Sequence, residues 1–412
     1  MFRQSLGRVH KYELLVVPLV LAGTYFLIVL SFGYLQHLHD TMFWTVDSNS
    51  YKAVADWIWG LENTKFTLIR PLFYPLMLGL SRNLAGIFGI WSYQFTLWLI
   101  SGLLLYRSIN IATNNIFLSV GGVLIFTGNL TLMLLTLHAL TEVTVIFLLT
   151  VLIILIINKR RHKATQYWFW IIFVVSLLTI TKPVFSLLLL PVLIYRIPFF
   201  ILELKDQGHR LRFLTYLFLA LSPVLIQLSL MKVKHDEFSI SQIGPRTAAN
   251  YYLPRVFRDV NHISLAEARK HTKDFDRKEI FEYLLTHHQS SLRTYLITLK
   301  ENVAAESNFI NRPDTHSRLF RYMKLTNEGY LFLHILMLPP SILVLMTLFK
   351  RRNWADLEMV IFLMYSGLII VLTSGITFSQ GDRIVLPSLP LWIVLYSIIL
   401  SIPWRSGIFN PP

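Results

Sequence analysis

Apolar runs of about 20 residues recur along the chain, and they limit what it can fold into more than any other feature. They lie at 13–33, 87–107, 115–134, 139–157, 166–181, 183–200, 211–231, 330–349, 357–376 and 383–402. In hydrocarbon only a helix or a closed barrel satisfies its own backbone hydrogen bonds, so runs of this length predict helices that cross a bilayer. A hydrophobic content of 54% agrees. Lys182-Pro183 interrupts one longer run and predicts a turn at the membrane surface. The expected fold is an all-α polytopic membrane protein, one unit over 1–412, with about ten transmembrane helices.

Basic clusters between the runs set the expected topology. MFRQSLGRVHK at the N-terminus, NKRRHK at 158–163, KDQGHRLR at 205–212 and FKRRN at 349–353 all fall on one side when the runs are counted in order. Lys and Arg concentrate in cytoplasmic loops, so that side is expected to hold both termini. The expected location is a plasma (bacterial inner) membrane, or the endoplasmic reticulum if the source is eukaryotic. The first run follows a basic N-terminus with no small-residue cleavage site after it, which predicts a retained span. The formal net charge of +15 is assigned to these clusters and to anionic lipid rather than to nucleic acid. There is no Cys, which excludes disulfides, thiol nucleophiles and thiolate metal sites.

The opposite side receives two large extracytoplasmic loops, 33–86 and 232–328, both expected to carry amphipathic helices. The second holds 16 basic against 12 acidic residues. Within it, Ser264-Leu-Ala-Glu267 has the pattern of a capping box. Further on, SSLRTYLITLKENV sets Leu292, Tyr295, Leu296, Leu299 and Val303 on one helical face.

The stretch TVDSNSYKAVADWIWG places Asp47 just past the first span. Asp47 can cap the following helix; alternatively, desolvation beside the membrane is expected to raise its pKa toward the range of a general base. Asp40 in HLHD has the same position, and chemistry alone does not separate the two. Arg70 in KFTLIRPLFYP, Lys182 in LLTITKPVF and Arg383 in SQGDRIVLP supply cations suited to grip a phosphate. Each has an ordinary alternative as a snorkelling side chain or a surface ion pair. Glu142 in HALTEVTVIFLL adds a second acid just inside the fourth span. Taken together, acids and cations collect on one face of the membrane. His37 and His39 with Asp40, and the pair His287-His288, lack the spacing of a helical two-His metal motif, so no metal ligand is assigned. No glycine-rich phosphate loop, nucleophile elbow or dinucleotide fingerprint is present, which argues against a cytoplasmic nucleotide donor.

The order of these features resembles the GT-C superfamily of integral-membrane glycosyltransferases, close to the branch of protein mannosyltransferases and lipid A aminoarabinose transferases. It is carried by Asp47-Ser-Asn-Ser-Tyr51 with Ala55 and Gly60, Arg70-Pro71-Leu-Phe-Tyr74-Pro75, Thr141-Glu142, Lys182-Pro183, the HHQSSLRTYLITLKEN helix, and Gly381-Asp382-Arg383 followed by Pro387 and Pro390. The resemblance implies a polyprenyl-phosphate-linked sugar donor used on the extracytoplasmic side. It implies Asp47 as catalytic base and Arg383 as a donor-phosphate contact, with Lys182 and Arg70 beside it. Tyr51, Asp56, Glu142 and Asp40 are expected to support the site or the acceptor. Two departures stand out: Lys182 occupies a turn that more often carries Arg, and little sequence follows the last span, which predicts a compact enzyme with a small acceptor.

The expected reaction moves a sugar to an extracytoplasmic glycolipid, polysaccharide or protein acceptor, with inversion at the anomeric carbon. A monophosphate leaving group can be neutralised by Arg and Lys, so no cofactor is required; a divalent metal is compatible with the chemistry but not expected. Two alternatives stand beside it. A polysaccharide polymerase or ligase would use loop cations such as Arg246, Arg255 and Arg258 and would not need Asp47. A lipid-linked sugar transporter or flippase would keep ionisable groups deep in its spans and show pseudo-symmetric halves.

Overall fold

A computed structural model describes residues 13–31, 33–61, 63–162, 166–208, 210–305, 317–377 and 380–405. Among them all regular structure is helical. The N-terminal part comprises α1 (Glu13–Ser31), α2 (Leu38–Met42), α3 (Val46–Ile58), α4 (Phe73–Thr113), α5 (Ile116–Gly128) and α6 (Leu130–Leu134). Then come α7 (Glu142–His162), α8 (Gln166–Thr179), α9 (Ser186–Lys205) and α10 (Arg210–His235). The large loop folds as α11 (Ile243–Thr247), α12 (Leu253–Asn261), α13 (Leu265–His271), α14 (Arg277–Thr286) and α15 (His288–Ala304). The chain closes with α16 (Ser317–Lys350), α17 (Trp354–Ser374) and α18 (Leu389–Arg405).

Six of these helices are long and apolar enough to cross a membrane, and up to eight if each of two bent pairs counts as one span. The bent pairs are α1 with the helical stretch to Met42, turned by 71°, and α5 with the stretch to Leu137, turned by 64°. Two shorter apolar helices, Gln166–Thr179 and Leu386–Ser401, occupy two more of the expected runs. α4 packs along α7, α5 and α3, α10 lies on α8, and α18 sits among α17, α4 and α5. The core between them is aromatic and aliphatic, with Trp98, Tyr25 and Phe126 fully buried. Some of its polar groups are paired within it: the Tyr25 hydroxyl accepts from Trp91 Nε1 at 2.9 Å and meets Thr136 Oγ1 at 2.7 Å.

Several boundaries differ from the sequence-based expectation. The first loop is shorter than 33–86, because α4 begins at Phe73, immediately after Arg70-Pro71-Leu72. The expected start of that span coincides instead with a kink at Ala85 and Gly86, where Gly86 has φ +59° and no side chain to oppose it. The expected loop 232–328 is likewise shortened at both ends, since α10 runs to His235 and α16 starts at Ser317. The run at 115–134 is broken at Asn129, whose side chain accepts from Leu132 N at 2.8 Å and caps a new helix.

The two ends of the bundle are chemically distinct. The stretches 158–162, 205–208, 210–212 and 349–353 lie at one end, where Lys159 pairs with Glu358 at 2.5 Å and Arg160 pairs with Asp356. Glu142, Lys182 and the large loop belong to the other end. The basic N-terminal stretch lies outside the described residues.

Candidate active site

Asp47 sits in the first turn of α3, and the helix places it there without needing it as a cap. That task falls to Thr45, whose hydroxyl accepts from Ser48 N at 2.9 Å. The Asp47 carboxylate therefore turns inward, where one oxygen takes Arg70 Nη2 and the other takes Arg383 Nη2. Arg70 is held in turn by Ser50 Oγ at 2.8 Å and the Tyr51 hydroxyl at 3.2 Å, one turn along α3. Its guanidinium also lies over the Tyr51 ring, 4.5 Å from the centroid. Tyr51 packs edge-on against the fully buried Tyr74 of α4.

Glu142 opens α7 and is buried. One of its oxygens lies 3.5 Å from Lys182 Nζ and 3.7 Å from Arg383 Nε. The cluster thus gathers three cations and two carboxylates from segments as far apart as Asp47 and Arg383. Its net charge of one positive unit in a partly dry setting favours an anion.

Three devices position these groups. The Arg70 loop is strapped by the segment after α10: Gln242 N donates to Leu68 O at 2.9 Å and Ser241 Oγ to Ile69 O at 2.8 Å. Lys182 is fixed by the predicted turn, with Pro183 opening a short 3₁₀ helix between α8 and α9. The Arg383 segment hangs on α15. Asn302 donates to the carbonyls of Ser374 at 2.8 Å and Thr377 at 2.7 Å, and accepts from Gln380 N at 3.2 Å. Asp382 N donates to Ala305 O at 2.9 Å, and Gly381, at φ +63°, makes the turn that aims Arg383 inward. The Asp382 side chain accepts from Thr131 at 2.8 Å and Asn327 at 2.9 Å, which pins the segment from below.

Of the sequence-predicted residues, Asp47, Arg70, Arg383, Lys182, Glu142 and Tyr51 come together. Asp56 and Asp40 do not. Asp56, two and a half turns beyond Asp47, is buried against Arg82 of α4 and ties α3 to that helix. Asp40 is exposed on α2. Sequence reasoning missed Gln380, which accepts from Arg383 Nη2 at 2.6 Å, and Ser50, the second ligand of Arg70. A polar residue three places before a charged one at a turn was the available signal for Gln380. Among the described residues no three His, Asp or Glu side chains gather closely enough to hold a metal ion.

One expectation is reversed. Burial pushes the Asp47 carboxyl up, as anticipated, but the charges of Arg383 and Arg70 and their hydrogen bonds outweigh it and hold the group well below the usual carboxylate range. In this state Asp47 is a firmly ionised, weak base. Burial raises the Tyr51 phenol, which keeps its proton at neutral pH.

The fold and the cluster define a multi-pass, all-helical membrane protein with a charged cluster at one end of its helix bundle. No family model, curated protein or solved structure matches the chain.

Proposed function

We propose that the chain is a membrane glycosyltransferase that moves a sugar from a polyprenyl-phosphate donor to an extracytoplasmic acceptor. The supporting observation is the convergence of Asp47 and Glu142 with Arg70, Arg383 and Lys182 at the bundle end away from the basic connections. In this reading the ten apolar helices span the membrane, the basic end faces the cytoplasm together with both termini, and the cluster faces outward. The polyprenyl tail lies in the bilayer beside the helices, and its phosphate meets the cations.

The chemistry follows from the same contacts. In the resting state both Asp47 oxygens are occupied by arginines. A donor phosphate competes for Arg70 and Arg383, drawing away the charges that depress Asp47 while its burial remains. The carboxylate then regains basicity when the acceptor hydroxyl is in place. Asp47 accepts the hydroxyl proton, the acceptor oxygen bonds to the anomeric carbon, and the bond from that carbon to the phosphate oxygen breaks with inversion. The electron pair leaves on the polyprenyl phosphate, where Arg70, Arg383 and Lys182 stabilise it. Glu142 holds Lys182 and Arg383 in position.

Of the loop cations named for the rival polymerase reading, Arg255 and Arg258 are tied to partners within the loop and do not join the cluster. Arg255 bonds Thr298 at 2.7 Å and Glu301 at 3.2 Å, and Arg258 bonds Asp259 at 2.6 Å. The decisive comparison is between Asp47→Asn and Asp40→Asn in isolated membranes, following labelled sugar from the endogenous lipid-linked pool. With both variants inserted at normal levels, Asp47→Asn is expected to lower transfer by about 10²–10⁴-fold, and Asp40→Asn to leave it unchanged. Normal transfer by Asp47→Asn would sink the assignment.

A further inference from the structure

A second feature lies at the opposite end of the bundle and takes no part in the chemistry above. A cavity of about 780 Å³ opens between α7, α8, α9 and α17. Lys159 on its rim is 17 residues from Glu142 along α7, which separates cavity mouth and charged cluster by about 26 Å.

The slot is graded in polarity. At one end stand Lys159, Arg160, Arg196 and Glu358; toward the other the lining is Leu188, Val192, Ile361 and Phe362. From Trp354 to Tyr365 it follows α17 for about 16 Å. The Tyr365 hydroxyl donates to Leu187 O at 2.9 Å, a bond between α17 and α9 at the apolar end.

The charges at the polar end are unevenly matched. Lys159 has Glu358 and Arg160 has Asp356. Arg196 has no carboxylate within ion-pair distance among the described residues, and its Nε is buried without a hydrogen-bond partner. Its guanidinium lies 4.4 Å from the Trp168 ring centroid, while Lys159 lies 4.5 Å from the same centroid. Glu358 pairs with Lys159 and its charge also reaches Arg196, so these two cations and one carboxylate leave a single positive unit beside the indole, which favours one further anion.

We propose that this slot binds one membrane lipid with a net-anionic phosphate head group, the phosphate on Arg196 and Lys159 and a chain along Val192 and Phe362. A planar guanidinium suits phosphate oxygens, and the apolar lining suits a tail rather than water. Charge at one end and hydrocarbon at the other match the two parts of such a lipid and neither a free ion nor a neutral chain.

The test uses full-length protein in detergent, incubated with phosphatidylglycerol, phosphatidylcholine or inorganic phosphate, with bound molecules counted by native mass spectrometry. Wild type is expected to retain phosphatidylglycerol about tenfold better than phosphatidylcholine, and to retain no phosphate ion. Arg196→Gln should abolish the preference, and so should Val192→Trp, which fills the slot but keeps every charge. An Arg212→Gln control, which removes a basic residue outside the slot, should bind as wild type does. Equal retention by wild type and both slot variants would mean surrounding lipid only and would overturn the proposal. So would Arg196-dependent binding of inorganic phosphate without the lipid.

Discussion

At the scale of single residues, the state of Asp47 is set by its neighbours rather than by its depth. A carboxylate beside a membrane predicts a raised pKa from burial alone; two guanidinium groups reverse the sign. Neither arginine is near Asp47 in sequence, so the reversal was illegible before the fold brought them together. Because the folded-state value is lowered, the stability that Asp47 contributes is fully present above its unfolded pKa of about 4 and is lost as pH falls below it. We expect Asp47→Asn to melt below wild type at neutral pH, with the gap constant down to about pH 4 and narrowing progressively as the buffer is made more acid than that. A gap that stays constant below that pH would mean the carboxylate is not the titrating partner. What the sequence did make legible was residue type and order: an acid after the first span, a cation before the second, a Lys-Pro turn and an Arg before the last.

At the scale of elements, periodicity identified helices better than it identified their faces. The capping box at Ser264 and Glu267 forms as its pattern predicts, and a second one forms at Asp276 and Glu279. For α15 the apolar face was expected to lie along the membrane or to pack on the spans; the buried positions are Thr294, Thr298 and Asn302, while Leu292 and Leu296 are exposed. The reason is polar matching. Thr298 serves Arg255, Thr294 serves Asp259 and Asn302 holds the Arg383 segment, and such partners cannot be read from a hydrophobic pattern. Asn302 is therefore a positioning residue. Asn302→Ala should remove the side-chain partner of Thr377 O and Gln380 N and one of those of Ser374 O, destabilise the protein by about 1–3 kcal/mol, and lower transfer while lipid retention at the opposite slot stays normal. Full transfer by this variant would show that the segment holds Arg383 without α15.

At the scale of the whole molecule, the proposed placement of the basic end and the charged cluster on opposite sides of a membrane is testable because the chain contains no Cys. Single cysteines at Arg277 in the large loop and at Arg351 in the basic connection should differ in access. A membrane-impermeant maleimide is expected to label the first in intact cells and the second only after permeabilisation; the reverse order would invert the topology. Apolar helices were legible as a class from the runs, yet six, or up to eight with the bent pairs, are long enough to cross a membrane where ten were expected; the bends were not legible, because a helix that turns at Asn129 reads in sequence as one continuous stretch. The link between Asp47 and Arg383 also bears on biosynthesis. Ribosomes deliver Asp47, Arg70, Glu142 and Lys182 early, and these four alone are electrically balanced. The excess positive charge arrives only with Arg383, 336 residues after Asp47, so the cluster acquires its net charge only once that distant segment has been made.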